Sequence, residues 1–102
     1  MQNYEIYIEA RLWFQKSYGN TYHTAKVDIY DKSSKQWTTL VSPMTYGYGE
    51  HYKHTAASLL LENGYFNNFD DAYKLARHFS EMKGSVFFTE LEGLKRDLHK
   101  QQ

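Results

Sequence analysis

The stretch Tyr4–Tyr30, YEIYIEARLWFQKSYGNTYHTAKVDIY, decides the fold. From Tyr4 to Gln15 the residues alternate in character. Tyr4, Ile6, Ile8, Ala10, Leu12 and Phe14 take one side, and Glu5, Tyr7, Glu9, Arg11, Trp13 and Gln15 take the other. Side chains of a β-strand return to the same face every second residue, so this pattern predicts a strand with one buried face. Gly19-Asn20 is a turn pair. Alternation resumes from Thr21 to Tyr30, with His23, Ala25, Val27 and Ile29 inward and Tyr22, Thr24, Lys26, Asp28 and Tyr30 outward. Two alternating runs about a Gly-Asn turn predict an antiparallel hairpin.

Beyond the hairpin, DKSSKQ (31–36) is a polar loop and WTTLV (37–41) a third strand rich in β-formers, closed by Ser42-Pro43. Glu50 to Glu62 has helical spacing, with Tyr52, Ala56, Leu59, Leu60 and Asn63 on one face and a stop at Asn63-Gly64. A second helix starts within NNFDD (67–71). Asn68 suits the cap, Asp70 and Asp71 suit the positive end, and Ala72, Leu75, Ala76 and Phe79 form the buried side. Lys83-Gly84 ends it. Ser85–Leu91 reads as a strand. Thr89 and Glu92 also fit a capping box, and Leu91, Leu94 and Leu98 suit a short helix, so 89–100 admits either form. The reading adopted is a strand that gives way to a short helix or a frayed basic tail over 94–102. No repeat, linker or composition shift divides the chain, so 1–102 is read as a single domain. The expected class is α+β, with an antiparallel sheet of three to four strands, two helices packed on one face, and the order β-β-β-α-α-β.

Composition limits the function. Lys+Arg and Asp+Glu are 12 each, so the net charge is zero, and the chain has no general electrostatic pull on nucleic acid or an anionic membrane. Without cysteine there are no disulfides, thiolate zinc sites or cysteine nucleophiles. The first residues lack the basic-then-apolar pattern of a signal peptide, and the longest apolar-like run, Ala56–Leu61, is far too short to span a bilayer. A cytoplasmic location with no membrane partner is the expectation. Aromatic residues make up 18% of the chain and include ten tyrosines. A tyrosine has a large apolar body and a polar tip, which suits a surface that binds.

The stretch TYGYGEHYKH (45–54) carries the residues that most resemble chemistry. Gly47 and Gly49 precede a helix, as in phosphate-binding loops. A dinucleotide fingerprint requires a third glycine where Tyr52 stands, and the Gly-Lys-Ser/Thr of a P-loop is missing. Glu50 would also occupy the anion's place. The two glycines are therefore read as a hinge, with Tyr46, Tyr48 and Tyr52 as a small aromatic wall beside it. His51 and His54 share a helical turn with Glu50, but this is not the His-Glu-x-x-His order of a zinc helix and no third ligand is evident. His23 is expected to be a buried, hydrogen-bonded histidine with no nucleophile to activate. No serine lies in a nucleophile elbow. The expectation is a non-enzymatic binding protein without metal or cofactor.

Its best surface is the outward side of the hairpin, formed by Tyr7, Arg11, Trp13, Tyr22, Lys26 and Tyr30. Aromatics interleaved with cations on an open sheet suit stacking of single-stranded nucleic acid or a nucleotide. They equally suit a protein interface, a homodimer through this face, or plain cross-strand ring pairs that stabilise the ribbon.

The segments LWFQKSYGNTYHTAKVDIY (12–30) and TYGYGEHYKHTAASLLLENGY (45–65) resemble a group of small proteins carried by bacteriophages and prophages. The shared features are a Trp-Phe strand, a Gly-Asn-Thr-Tyr-His turn and a Tyr-Gly-Tyr-Gly-(Asp/Glu) lead-in to a helix. The resemblance covers the first two thirds of the chain and transfers no chemistry to individual residues. It implies a protein that binds and disables a host component, with bacterial immunity as a frequent target, through a nuclease complex or a signalling nucleotide. The expected function is a stoichiometric inhibitor of a bacterial defence system, acting on a host protein complex in the host cytoplasm. The alternative is a binder of single-stranded nucleic acid or nucleotide.

Overall fold

The structure is a computed structural model and describes residues 3–47, 49–82 and 84–93. The hairpin forms as the alternation requires. Strands β1 (Tyr4–Gln15) and β2 (Asn20–Asp31) pair antiparallel from Tyr4–Asp31 to Gln15–Asn20 without a bulge. The connecting loop is 16–19 rather than a turn on Gly19-Asn20, since Asn20 already pairs with Gln15, and it closes on the Gln15 carbonyl, which accepts from the Gly19 amide at 2.8 Å. Gly19 has φ +71°, a left-handed angle that glycine adopts without a Cβ penalty. Strand β3 (Gln36–Val41) pairs antiparallel with β2, from Asp31–Gln36 to Lys26–Val41. Asp31 shapes the loop between them, since its Oδ1 accepts from the Ser33 amide at 2.9 Å and the Ser33 hydroxyl at 2.6 Å.

Two features depart from the expected sheet. A short strand β4 (Thr45–Tyr46) pairs with β2 beyond the end of β3. The last strand, β5 (Val86–Glu92), lies beside β1 and runs parallel to it, so the five-stranded sheet is mixed rather than wholly antiparallel, in the order β3-β2-β1-β5. The helical layer explains the direction. It returns the chain to the start of β1, where the Ile6 amide donates to Ser85 O at 2.7 Å, and the chain then continues alongside β1 in the same direction. Between 89 and 92 the chain is strand. The helical alternative for the end of the chain, and the frayed tail at 94–102, fall outside the described residues.

Helices α1 (His51–Glu62) and α2 (Ala72–His78), followed by a short 3-10 turn at Phe79–Glu81, form the second layer. Helix α1 stops at Asn63, and Gly64 follows with φ +86°. The α2 cap is Asp71 rather than Asn68. Asp71 is extended and its carboxylate accepts from the Lys74 amide at 2.9 Å, while residues 66–69 are occupied by a turn in which the Phe69 amide donates to Phe66 O. The core lies between the layers. Ile6, Ile8, Ala10, Ala25, Val27 and Ile29 come from the sheet, Tyr52, Ala56, Ala57 and Leu60 from α1, and Leu75 and Phe79 from the second helical segment. Burying a large apolar side chain of this kind contributes about 1.5–3 kcal/mol. Asn63, placed by its spacing on the buried side of α1, is exposed because it is the residue at which the helix ends. Phe14 shares the inward parity but is 55% exposed, because β1 runs past the end of the helical layer.

Candidate functional site

With both helices on one side, the other side of the sheet is left open among the described residues, and the strand register arranges its side chains in rows. Trp37, Tyr30 and Glu5 form the first row, followed by Thr39, Asp28, Tyr7 and Phe87. Next come Val41, Lys26, Glu9 and Thr89, then Thr24, Arg11 and Leu91. Tyr46, Tyr22 and Trp13 close the series.

The rings gather at the two ends. At one end Tyr7 lies between Trp37 and Phe87, with centroids 5.8 and 4.9 Å away, and Tyr30 lies 4.9 Å from Trp37. At the other end Trp13 stacks on Tyr22 at 5.5 Å, and Tyr46 meets Tyr22 edge-on at 5.8 Å. Such pairs add about 0.5–1.5 kcal/mol each beyond the area they bury. They also set the rings against one another within each group. Between the ring groups runs a charged belt. Arg11 Nε donates to Glu9 Oε2 at 3.3 Å, and Asp28 Oδ1 accepts from the Thr39 hydroxyl at 2.7 Å. The Tyr7 hydroxyl donates to Glu5 Oε1 at 3.0 Å, and this bond to a carboxylate raises the phenol pKa above its ordinary value. Glu5, Glu9 and Asp28 outnumber Arg11 and Lys26, so the face carries a slight negative excess.

All six hairpin residues singled out from the sequence, Tyr7, Arg11, Trp13, Tyr22, Lys26 and Tyr30, therefore lie on one open surface. Two rings were missed. Trp37 is 59% exposed and Phe87 is 40% exposed, and both join this face through pairing that their own short segments do not reveal. The parity of Trp37 with Tyr30 across the DKSSKQ loop was the available signal. Of the secondary candidates, Tyr46 joins the face and Tyr48 lies outside the described residues. Tyr52 belongs to no surface wall. It is 1% exposed beneath the sheet, where its hydroxyl donates to Glu90 Oε2 at 2.7 Å, and burial together with that carboxylate raises its pKa far above the usual phenol range. Thr24 has outward parity yet is buried, being a short side chain level with Arg11 and one row from Trp13 and Tyr22.

The glycine stretch serves the fold. The Gly47 amide donates to Thr21 O at 2.9 Å, and the Gly47 carbonyl accepts from His23 Nδ1 at 3.1 Å. A carbonyl can only accept, so Nδ1 carries a proton, and in the neutral ring Nε2 accepts from the Thr55 hydroxyl at 2.8 Å. His23 thus ties the hinge to α1. It is fully buried, and burial lowers its pKa, with the nearby His51 acting in the same direction. The Thr55 partner was not foreseen in the sequence, since it sits on a different element. Glu50 caps α1 without a side-chain bond and pairs with Lys53 at 3.3 Å. The His51 and His54 rings are 5.4 Å apart, and no three metal-ligating side chains converge among the described residues. No helix among those residues is long and apolar enough to cross a membrane.

No protein-family model, curated protein or solved structure matches the chain.

Proposed function

We propose that this is a non-enzymatic binding protein of phage type that docks on a bacterial host protein through its open sheet face and acts as a stoichiometric inhibitor of a defence component. One observation carries this reading. Seven rings, from Tyr7, Tyr30, Trp37 and Phe87 at one end and Trp13, Tyr22 and Tyr46 at the other, frame a charged belt on a surface that no described element covers. Tyr, Trp and Arg are the side chains that most often dominate protein interfaces, and mutual stacking lowers the entropy lost when they are held by a partner. The phage context rests on the likeness of segments 12–30 and 45–65 to small phage proteins.

The alternative, stacking of single-stranded nucleic acid or a nucleotide, draws on the Trp13–Tyr22 stack near Arg11. It is disfavoured by the charge of the face, where carboxylates outnumber cations, because phosphate contacts need a cationic excess. Salt separates the two. The docking reading expects partner affinity to change little between 50 and 200 mM salt, set as an experimental range on the scale where phosphate-dominated binding falls about 10³–10⁵-fold. A steep log-linear loss, together with direct binding of an oligonucleotide, would replace the protein partner with a nucleic acid.

A further inference from the structure

We infer that the open face also pairs with a second copy of this chain, about a two-fold axis that runs parallel to the strands, midway between β1 and β2. This rests on the reading of the face as a docking surface, and it names a second occupant that competes with the host partner.

The register supplies the argument. Glu9 and Lys26 are direct cross-strand partners, one on β1 and one on β2, at the centre of the face. A two-fold axis along the strands lays β1 of one copy over β2 of the other at the same level. Glu9 then faces Lys26 of the copy, and Lys26 faces Glu9, so one operation creates two opposite-charge contacts. The same operation sets Trp13 over Tyr22 and Tyr22 over Trp13. The other in-plane axis, perpendicular to the strands and centred on this row, would bring Glu9 onto Glu9 and Lys26 onto Lys26, which like-charge repulsion disfavours. Face-to-face packing of two twisted sheets is an ordinary arrangement, with strands aligned to within about 30°. An isologous contact of this kind closes on itself as a dimer.

Area sets the strength. At about 4.8 Å between strands and about 3.3 Å per residue, nine residues each of β1 and β2 with the six of β3 and the seven of β5 present a footprint of roughly 500 Å² per copy. Two copies together bury roughly 1,000 Å², the lower bound for a specific interface. The pair is therefore weak and reversible, and a tighter partner displaces it.

Charge exchange tests the axis. By sedimentation, the wild-type chain is expected to pass from monomer to dimer as concentration rises. Glu9→Lys and Lys26→Glu, each alone, should weaken pairing at least about tenfold. An equimolar mixture of the two should pair again. The lysine introduced in one variant then faces the glutamate introduced in the other, while the unchanged Lys26 of the first faces the unchanged Glu9 of the second. The double variant, which restores both contacts within one chain, should pair like wild type and guards against loss of fold in a single variant. A wild-type chain that stays monomeric at millimolar concentration overturns the inference, as does a mixture and double variant that both stay monomeric. If pairing fails while Trp13→Ala still abolishes capture of a host partner, the dimer is wrong and the docking reading stands. If pairing behaves as described while Trp13→Ala leaves capture intact, the host-docking reading falls.

Discussion

Tyr7 stacks on Phe87 with ring centroids 4.9 Å and planes 16° apart, joining the first strand of the chain to the last on the open side of the sheet. A ring from each end of the sequence thereby enters one surface with Trp37 and Tyr30. Phe87→Ala should leave the fold intact and lower stability by about 1–3 kcal/mol, the aromatic pair together with the part of the ring's area that is buried. Chemical denaturation checks this. A loss above about 4 kcal/mol would mean that Phe87 belongs to the core.

Gly47 and Gly49 should respond differently to the same substitution. A Cβ at Gly47 would lie 2.6 Å from His51 Cδ2 and 3.1 Å from His23 Cε1, whereas a Cβ at Gly49 meets nothing within 4 Å and suffers only from φ +61°. Gly49→Val should cost about 1–2 kcal/mol, the penalty of a left-handed backbone. Gly47→Val should cost more, because it adds to a positive φ of +155° a clash with the His51 ring and a close approach to buried His23. Since the exposed His51 ring is the closest obstacle, His51→Ala should recover part of the loss in a Gly47→Ala background. Thermal melts of the four variants and the double variant read this out.

The hairpin was legible because period-two alternation specifies both a strand and its facing, and a one-residue slip would bury Glu5, Glu9 and Asp28. Both helices were legible from the spacing of Tyr52, Ala56 and Leu60 and of Leu75 and Phe79, although Asp71 displaced Asn68 as the second cap. The direction of β5 was not legible. Val86–Glu92 alternates in the same way whether parallel or antiparallel, and its neighbour is fixed only by where the helical layer delivers the chain. The candidate face was half legible for the same reason. The hairpin puts Trp13 and Tyr22 on the same outward side by parity alone, but their direct pairing was not legible, because a turn on Gly19-Asn20 would set Trp13 opposite Lys26; Trp37 and Phe87 reach the face only through strand partners elsewhere in the chain. Tyr52 carried two readings, a place on the buried face of α1 and a place in the aromatic wall, and the helical spacing was the one that located it in the core.

His23 makes stability depend on pH. Burial lowers its pKa from 6.5 in the folded chain, so at pH values below 6.5 the unfolded chain binds a proton that the folded chain resists. The contribution of neutral His23 is present above pH 6.5 and is lost as pH falls toward the lowered folded value. A charged ring would also face His51, 5.5 Å away. Denaturant midpoints measured from pH 7.5 to 5 should fall for wild type and fall less for His23→Gln, whose amide can donate to the Gly47 carbonyl without titrating. Parallel slopes for the two proteins would assign the effect to another group.

Tyr52→Phe removes the donor to Glu90 Oε2 while keeping the ring in the core. The expected cost is about 0.5–1.5 kcal/mol, the net value of a hydrogen bond, because the exposed carboxylate can turn to water. Absorbance titration at alkaline pH should also show one phenol fewer among the tyrosines that stay protonated longest.

The proposed docking of a host protein on the open face is tested most directly by quantitative capture of partners from phage-infected bacterial lysate, comparing wild type, Trp13→Ala, Trp37→Ala and the helix-side control Tyr73→Ala, all matched for folding by circular dichroism. Tyr73 is 70% exposed on α2, away from the open sheet face. A host protein held in stoichiometric amount by wild type and by Tyr73→Ala should be lost, at about 1–4 kcal/mol per ring, from Trp13→Ala and Trp37→Ala. Equal retention by all four proteins, or loss from Tyr73→Ala alone, would contradict the account and move the binding surface to the helical side.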